Sequence, residues 1–200
     1  MMRTLCFSLA LLLFPMAGAD RSGSKWELRK NEDGIKIYTR AVEGAALDEF
    51  KAHAEFNFPM EKIVAILEDA DHFKDWMPNC SHSKLIKREG QKQYHYTITS
   101  APFPLDDRDC YYRFSYEKTS NQVKINMDGL PDYGPKKEDM VRIPSVKGYW
   151  LFEKLGPQKT KITYQVLANP GGSIPGWLAN AGTVDSPFNT LKNLRKRLES

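Results

Sequence analysis

Ile174, Trp177, Leu178, Ala181, Val184, Phe188, Leu191, Leu194 and Leu198 recur at steps of three and four residues, which places one apolar face along the whole C-terminal segment. A helix apolar on one side has to cover something. Ser173 is placed to cap it and Pro175 suits its first turn. Pro187 lacks an amide proton, so a kink is expected there.

What the helix has to cover is a series of strands. After the turn residues Asp33-Gly34, Ile35 and Ile37 alternate with Lys36 and Tyr38. Phe50, Ala52, Ala54 and Phe56 alternate with Lys51, His53 and Glu55, which predicts an opening antiparallel pair. Ile63, Ile66 and Leu67, then Phe73 and Trp76, give two short helical stripes after Pro59. Six further strands are expected near 82–88, 92–100, 108–118, 121–128, 138–152 and 159–168. A breaker-rich loop runs from Asp128 to Pro135. Two strands, two short helices, six strands and one long helix make an α+β chain. Its antiparallel sheet can curl around the last helix and leave room for a ligand.

The first nineteen residues read as a secretory leader. Arg3 is the positive start, Leu5 to Met16 the apolar run, and Ala17-Gly18-Ala19 the small-residue cleavage site. The run is shorter than the ~20 residues that cross a bilayer. Residues 20–200 then form one domain, secreted or periplasmic. Its 28 basic residues against 25 acidic ones, once Arg3 is removed, do not point to nucleic acid. The basic cluster Lys192, Arg195, Lys196 and Arg197 suits the end of a helix dipole. Cys80 and Cys110 fall on strands separated by a third, roughly 9–10 Å apart at ~4.8 Å per strand, so two free thiols are expected.

No catalytic or metal-binding pattern stands out. His53, His72, His82 and His95 are scattered and lack zinc spacing, and no phosphate-binding glycine loop occurs. Ser81-His82-Ser83-Lys84 starts a strand, not the helix that a Ser-x-x-Lys nucleophile requires. Asp106, Asp107 and Asp109 surround Arg108 and lack a calcium loop's spacing, so a turn whose carboxylates cap backbone groups and pair with Arg108 is expected. Neither metal nor cofactor is expected.

Arg142 shares strand parity with Val146, Trp150 and Phe152, and therefore should point inward. A buried arginine needs a partner, either Asp107 or Asp109 or the polar end of a ligand. A bulge at Pro144 would reverse this parity. Tyr96, Tyr112, Phe114, Trp150, Phe152, Tyr164, Trp177, Ala181 and Phe188 are the other candidates for a ligand-facing wall. Phe103, between Pro102 and Pro104, and Leu105, just after Pro104, are loop apolar residues suited to a lid or to transient contact with a membrane.

Several of these segments together resemble the START family, the lipid-transfer domains related to the steroidogenic acute regulatory protein. They are Asp33 to Tyr38, Trp76, Pro102 to Asp109, Val141-Arg142, Gly148-Tyr149-Trp150, Thr163-Tyr164 and Asn169 to Pro175. The likeness spans Trp26 to Leu198 and is greatest to the stand-alone bacterial branch. It departs at Asn169, Phe103 and Pro187, where aspartate, tryptophan and an unbroken helix are usual. The resemblance implies a helix-grip fold and a non-catalytic carrier of one hydrophobic lipid or sterol-like molecule, with Arg142 inside the cavity; a monomer is expected. The alternative is a cyclase-like or hydrolytic enzyme of the wider superfamily, which would need an acid or base such as His95 or Tyr112. A binding module with a filled interior is the third class.

Overall fold

The computed structural model describes residues 25–172 and 175–200, apart from the side chains of Gly176 and Trp177. The expected leader, Ser173 and Ile174 lie outside these residues, as does the Trp177 side chain.

Among the described residues, ten strands form one sheet: β1 (Glu27–Glu32), β2 (Ile35–Arg40), β3 (Glu49–Phe56), β4 (Cys80–Glu89), β5 (Lys92–Thr99), β6 (Asp107–Lys118), β7 (Gln122–Gly129), β8 (Met140–Arg142), β9 (Ser145–Gly156) and β10 (Lys159–Asn169). Their spatial order is β1-β2-β3-β10-β9-β7-β6-β5-β4, with β8 beside β6. Every pairing is antiparallel except the parallel contact of β8 with β6.

The opening pair gains a member. β1 joins β2 through Asp33 and Gly34, whose positive φ values of 52° and 73° suit a tight hairpin. Its sequence, Glu-Leu-Arg-Lys-Asn-Glu, is exposed almost throughout. An edge strand with no buried face carries no alternation, so periodicity alone does not reveal it.

The strand expected over 138–152 is in fact two. Pro144 cannot donate to a ladder. The chain breaks at Ile143-Pro144, and Ile143 donates its amide to the Asp109 carbonyl at 3.0 Å. Before the break, β8 runs parallel to β6, with Arg142 opposite Asp109. After it, β9 runs antiparallel to β7 and β10. The inward parity of Val146, Trp150 and Phe152 therefore holds for β9 but does not carry back to Arg142.

Among the described residues, three helices cover the concave face: α1 (Met60–Glu68), α2 (Gly176–Asn180) and α3 (Ser186–Glu199), with a 3-10 turn at Ala70–Asp75. Leu191, Leu194 and Leu198 of α3 are buried in one core with Ile35, Ile37, Ala52 and Ile63. Between α2 and α3 lies a π turn, Ala181–Asp185, where the Ser186 amide reaches back to the Ala181 carbonyl. The break expected at Pro187 thus falls just before it. A wide turn followed by a proline in the first turn of α3 avoids wasting a hydrogen bond inside a regular helix.

Candidate ligand chamber

The curled sheet and α3 line a partly open chamber of about 190 Å³. Its wall is assembled from distant pieces of sequence. The 3-10 turn and its C-terminal flank supply Phe73 and Met77. Alternate residues of β5 supply His95, Thr97 and Thr99, and β6 supplies Tyr112 and Phe114. From the other side come Val146 and Trp150 of β9 and Tyr164, Val166 and Ala168 of β10, with Ser186 and Thr190 of α3 closing it. A second chamber, also about 190 Å³, adjoins it and shares Pro78, Thr99, Ile143 and Ser186. This outer space lies between Ser100-Ala101, Pro170, and Leu178, Ala181 and Gly182 of the C-terminal helical segment.

Tyr112, Phe114, Trp150 and Tyr164 therefore meet in the inner wall, and Ala181 borders the outer chamber. Trp150 lies flat on Tyr164, with ring centroids 3.7 Å apart. Phe152 stands beyond Trp150, stacked parallel to it and fully buried, and does not reach the chamber. Phe188 also lies off the wall. It is buried beneath the Lys30 ammonium, which sits 4.0 Å from its ring centre.

Arg142 and Tyr96 lie elsewhere. Arg142 Nε and Nη2 donate to the two carboxylate oxygens of Asp109, each at 2.9 Å. Its remaining donors reach the Pro131 carbonyl at 2.8 Å and the Pro135 carbonyl at 2.7 Å. The guanidinium covers the Tyr111 ring. The Tyr96 hydroxyl donates to Asp109 Oδ2 at 3.1 Å. Neither side chain lines either chamber. Of the two partners open to Arg142 in the sequence, the structure places it on the buried acid. The reason is the strand break, which sets β8 beside Asp109.

The aspartate cluster also divides its duties. Asp107 Oδ1 accepts the Ala101 amide at 3.0 Å, which pins the base of the loop carrying Phe103 and Leu105. Arg108 pairs with none of the three carboxylates, contrary to expectation; its guanidinium binds the Asp106 backbone carbonyl and borders the outer chamber. Phe103 is 97% exposed, whereas Leu105 is half-buried. Cys80 and Cys110 are free, on strands flanking β5.

Among the described residues, no aspartate, glutamate, lysine or arginine lines the inner chamber. Its titratable groups are all held neutral. Burial, with a smaller push from Arg88, lowers His95 to about 3. Burial pushes the Tyr112 and Tyr164 hydroxyls above their ordinary values. It also raises the Cys80 thiol, and it pushes the Cys110 thiol, beside the chamber, up to about 12. Such a wall offers apolar contact and neutral hydrogen bonding, and no ionised group for acid-base work.

Of the expected wall, Tyr112, Phe114, Trp150 and Tyr164 line the inner chamber, as does His95, which the sequence offered only as an acid or base. Phe73, Met77, Ile143 and Ala168 were not legible in the sequence, because they come from turns and strand ends with no periodicity. Along β5 the alternation has the opposite parity to the one that put Tyr96 inward: His95, Thr97 and Thr99 line the chamber and Tyr96 does not.

A long curved antiparallel sheet closed on its C-terminal helix around a chamber defines the helix-grip class. No protein-family model matches the chain. It is 35% identical over 192 residues to uncharacterized protein PA1579 of Pseudomonas aeruginosa, covering 96% of this chain and 95% of the relative. The solved STAR-related lipid transfer protein of Xanthomonas axonopodis (fragment 25-204) is 42% identical, with a TM-score of 0.81, covering 88% of this chain and 99% of that one. The rat phosphatidylcholine transfer protein is 24% identical over 192 residues, covering 90% of this chain and 86% of the relative. The chain belongs to the START family of lipid-transfer domains.

Proposed function

We propose that this protein binds and carries one hydrophobic ligand without chemically altering it. The observation that carries this reading is the chamber itself, apolar in the main and bounded by neutral groups. Covering apolar ligand surface is worth roughly 25 cal/mol per Å², which is enough to hold a lipid-like guest with few polar contacts. The lipid-transfer relatives support the same reading.

Ligand would pass through the outer chamber, between the 101–106 loop and the helix around Ala181 and Gly182. The exposed Phe103 at the loop tip suits brief contact with a membrane surface. The leader-like first nineteen residues support carriage outside the cytoplasm. An enzymatic reading would rest on His95, whose titration is shifted. The shift is downward, however. A base near 3 that no carboxylate orients is a weak proton acceptor at neutral pH.

The test is to purify residues 20–200 from the native compartment and identify bound molecules by native mass spectrometry and lipid extraction. One hydrophobic species at one per chain supports carriage. A bare protein mass that persists after incubation with a broad lipid panel sinks it.

A further inference from the structure

Arg108 is 8% exposed, lines the outer chamber and pairs with no carboxylate among the described residues. The register of β5 with β6 runs unbroken from Lys92 to Thr99 and sets Arg108 opposite Thr99, which lines both chambers. Arg108 also shares strand parity with Tyr112 and Phe114 of the inner wall, so it projects from the concave face. Its Nη1 donates to the Asp106 carbonyl. Nε and Nη2 reach no acceptor among the described residues. Neither belongs to the wholly buried unpaired atoms, which are those of Trp76, His95, Arg113 and Trp150. The two nitrogens therefore stay open to the space that the side chain borders.

The molecule shows what that edge of a guanidinium holds. Arg142 uses the same two nitrogens, Nε and Nη2, to grip both oxygens of Asp109 at 2.9 Å each. Arg108 presents the same fork with no carboxylate against it. A largely buried cation without a counter-ion is costly. An arginine fork matches a carboxylate or a phosphate through two parallel bonds. Among the described residues, no other charged side chain lines the outer wall, and its polar members Asn79, Thr99, Ser100 and Ser186 are neutral. An anion at this fork has to come from outside the chain.

Resting on the carrier reading, we propose that the outer chamber holds the anionic head of the ligand, a carboxylate or a phosphate, on Arg108 Nε and Nη2, while the inner chamber takes its hydrocarbon. The two chambers adjoin through Pro78, Thr99, Ile143 and Ser186. Arg108 and Tyr112 stand four residues apart on β6, about 13 Å at ~3.3 Å per residue, a span that an alkyl chain covers. The tail meets the neutral inner wall and the charge stays at the mouth. The protein thus selects anionic amphiphiles over uncharged ones of the same length.

The experiment is calorimetry of the protein, stripped of bound lipid, at neutral pH. It compares decanoate, decyl phosphate and 1-decanol, with inorganic phosphate as a head group alone. At least one anionic amphiphile should bind about tenfold or more tighter than 1-decanol, the size of a charge-assisted hydrogen bond. A lead for decanoate marks a fatty-acid-like ligand, and a lead for decyl phosphate a phospholipid-like one. Arg108→Gln should erase the preference and leave 1-decanol within about twofold of its wild-type affinity. Arg108→Lys, which keeps the charge without the fork, should restore part of it. Should Arg108→Gln fail to fold, nitrogen-15 NMR of the wild type replaces it: the Arg108 Nε–H signal must move with the anionic amphiphiles and stay in place with 1-decanol. Equal affinities for the three amphiphiles overturn the assignment and leave carriage intact. A preference that survives Arg108→Gln, or an Arg108 signal indifferent to the anions, does the same. Inorganic phosphate that binds as tightly as decyl phosphate makes this a free-anion site and overturns the lipid assignment. No binding of any amphiphile overturns carriage and this inference with it.

Discussion

Arg142 and Asp109 meet as a two-pronged ion pair across the parallel contact of β8 with β6, with both N–O distances at 2.9 Å. The carboxylate is 0% exposed and the arginine side chain 6%. Removing one partner strands the other charge in the interior. Arg142→Met should therefore lower unfolding stability by about 3–5 kcal/mol, and Arg142→Met with Asp109→Leu should recover most of it. Urea denaturation of the two variants checks this. A double variant no more stable than the single one contradicts it.

Acid should act on the protein in two stages. Burial lowers His95 to about 3 in the folded state, below its unfolded value of about 6.5. Between those values the unfolded chain binds the extra proton, so stability falls as pH drops from about 6.5 toward 3. For Asp109, burial works against ionisation, but the hydrogen bonds from Arg142 and Tyr96 outweigh it and hold the carboxyl below its ordinary value. Its contribution is present above about pH 4 and is lost as pH falls further, through the folded value. Unfolding measured across this range should show the first slope flattened in His95→Phe and the second retained. An unchanged first slope would remove His95 from the account.

Gly148 has no space for a side chain. A Cβ there would stand 2.3 Å from the Gln165 carbonyl oxygen and 2.9 Å from Val166 Cα, both on the neighbouring strand β10. Gly148→Ala must push β9 and β10 apart and should cost at least about 1–3 kcal/mol. Gly156→Ala, where nothing lies within 4 Å, serves as the control and should stay within about 0.5 kcal/mol. Thermal unfolding of both variants decides between local tolerance and the predicted clash.

Phe103 contributes little to the fold, being 97% exposed. Phe103→Ser should leave stability within about 0.5 kcal/mol of the parent. If the loop tip touches membranes, the same variant should take up ligand from vesicles several-fold more slowly and bind it with unchanged affinity once loaded. Stopped-flow transfer beside equilibrium titration separates the two. An unaltered uptake rate would remove Phe103 from the membrane contact.

Much of the architecture is written in local pattern. Period-two runs such as Phe50 to Phe56 mark strands, because alternate side chains meet the core whatever lies across from them. The period from Leu178 to Leu198 marks the covering helix for the same reason. The Asp33-Gly34 turn and the segment before Asp109 carried the family. Tertiary structure alone decided what those elements do to one another. β1 exists because β2 offers it a paired edge, not because its own residues alternate. Arg142 left the ligand path because the break at Pro144 set β8 against β6, and register between distant strands is not encoded in the periodicity of either. The neutrality of the chamber is likewise a property of the assembly. His95, Tyr112, Trp150 and Tyr164 belong to four different strands, and their titration and unmet hydrogen bonds arise only when packing removes the water between them.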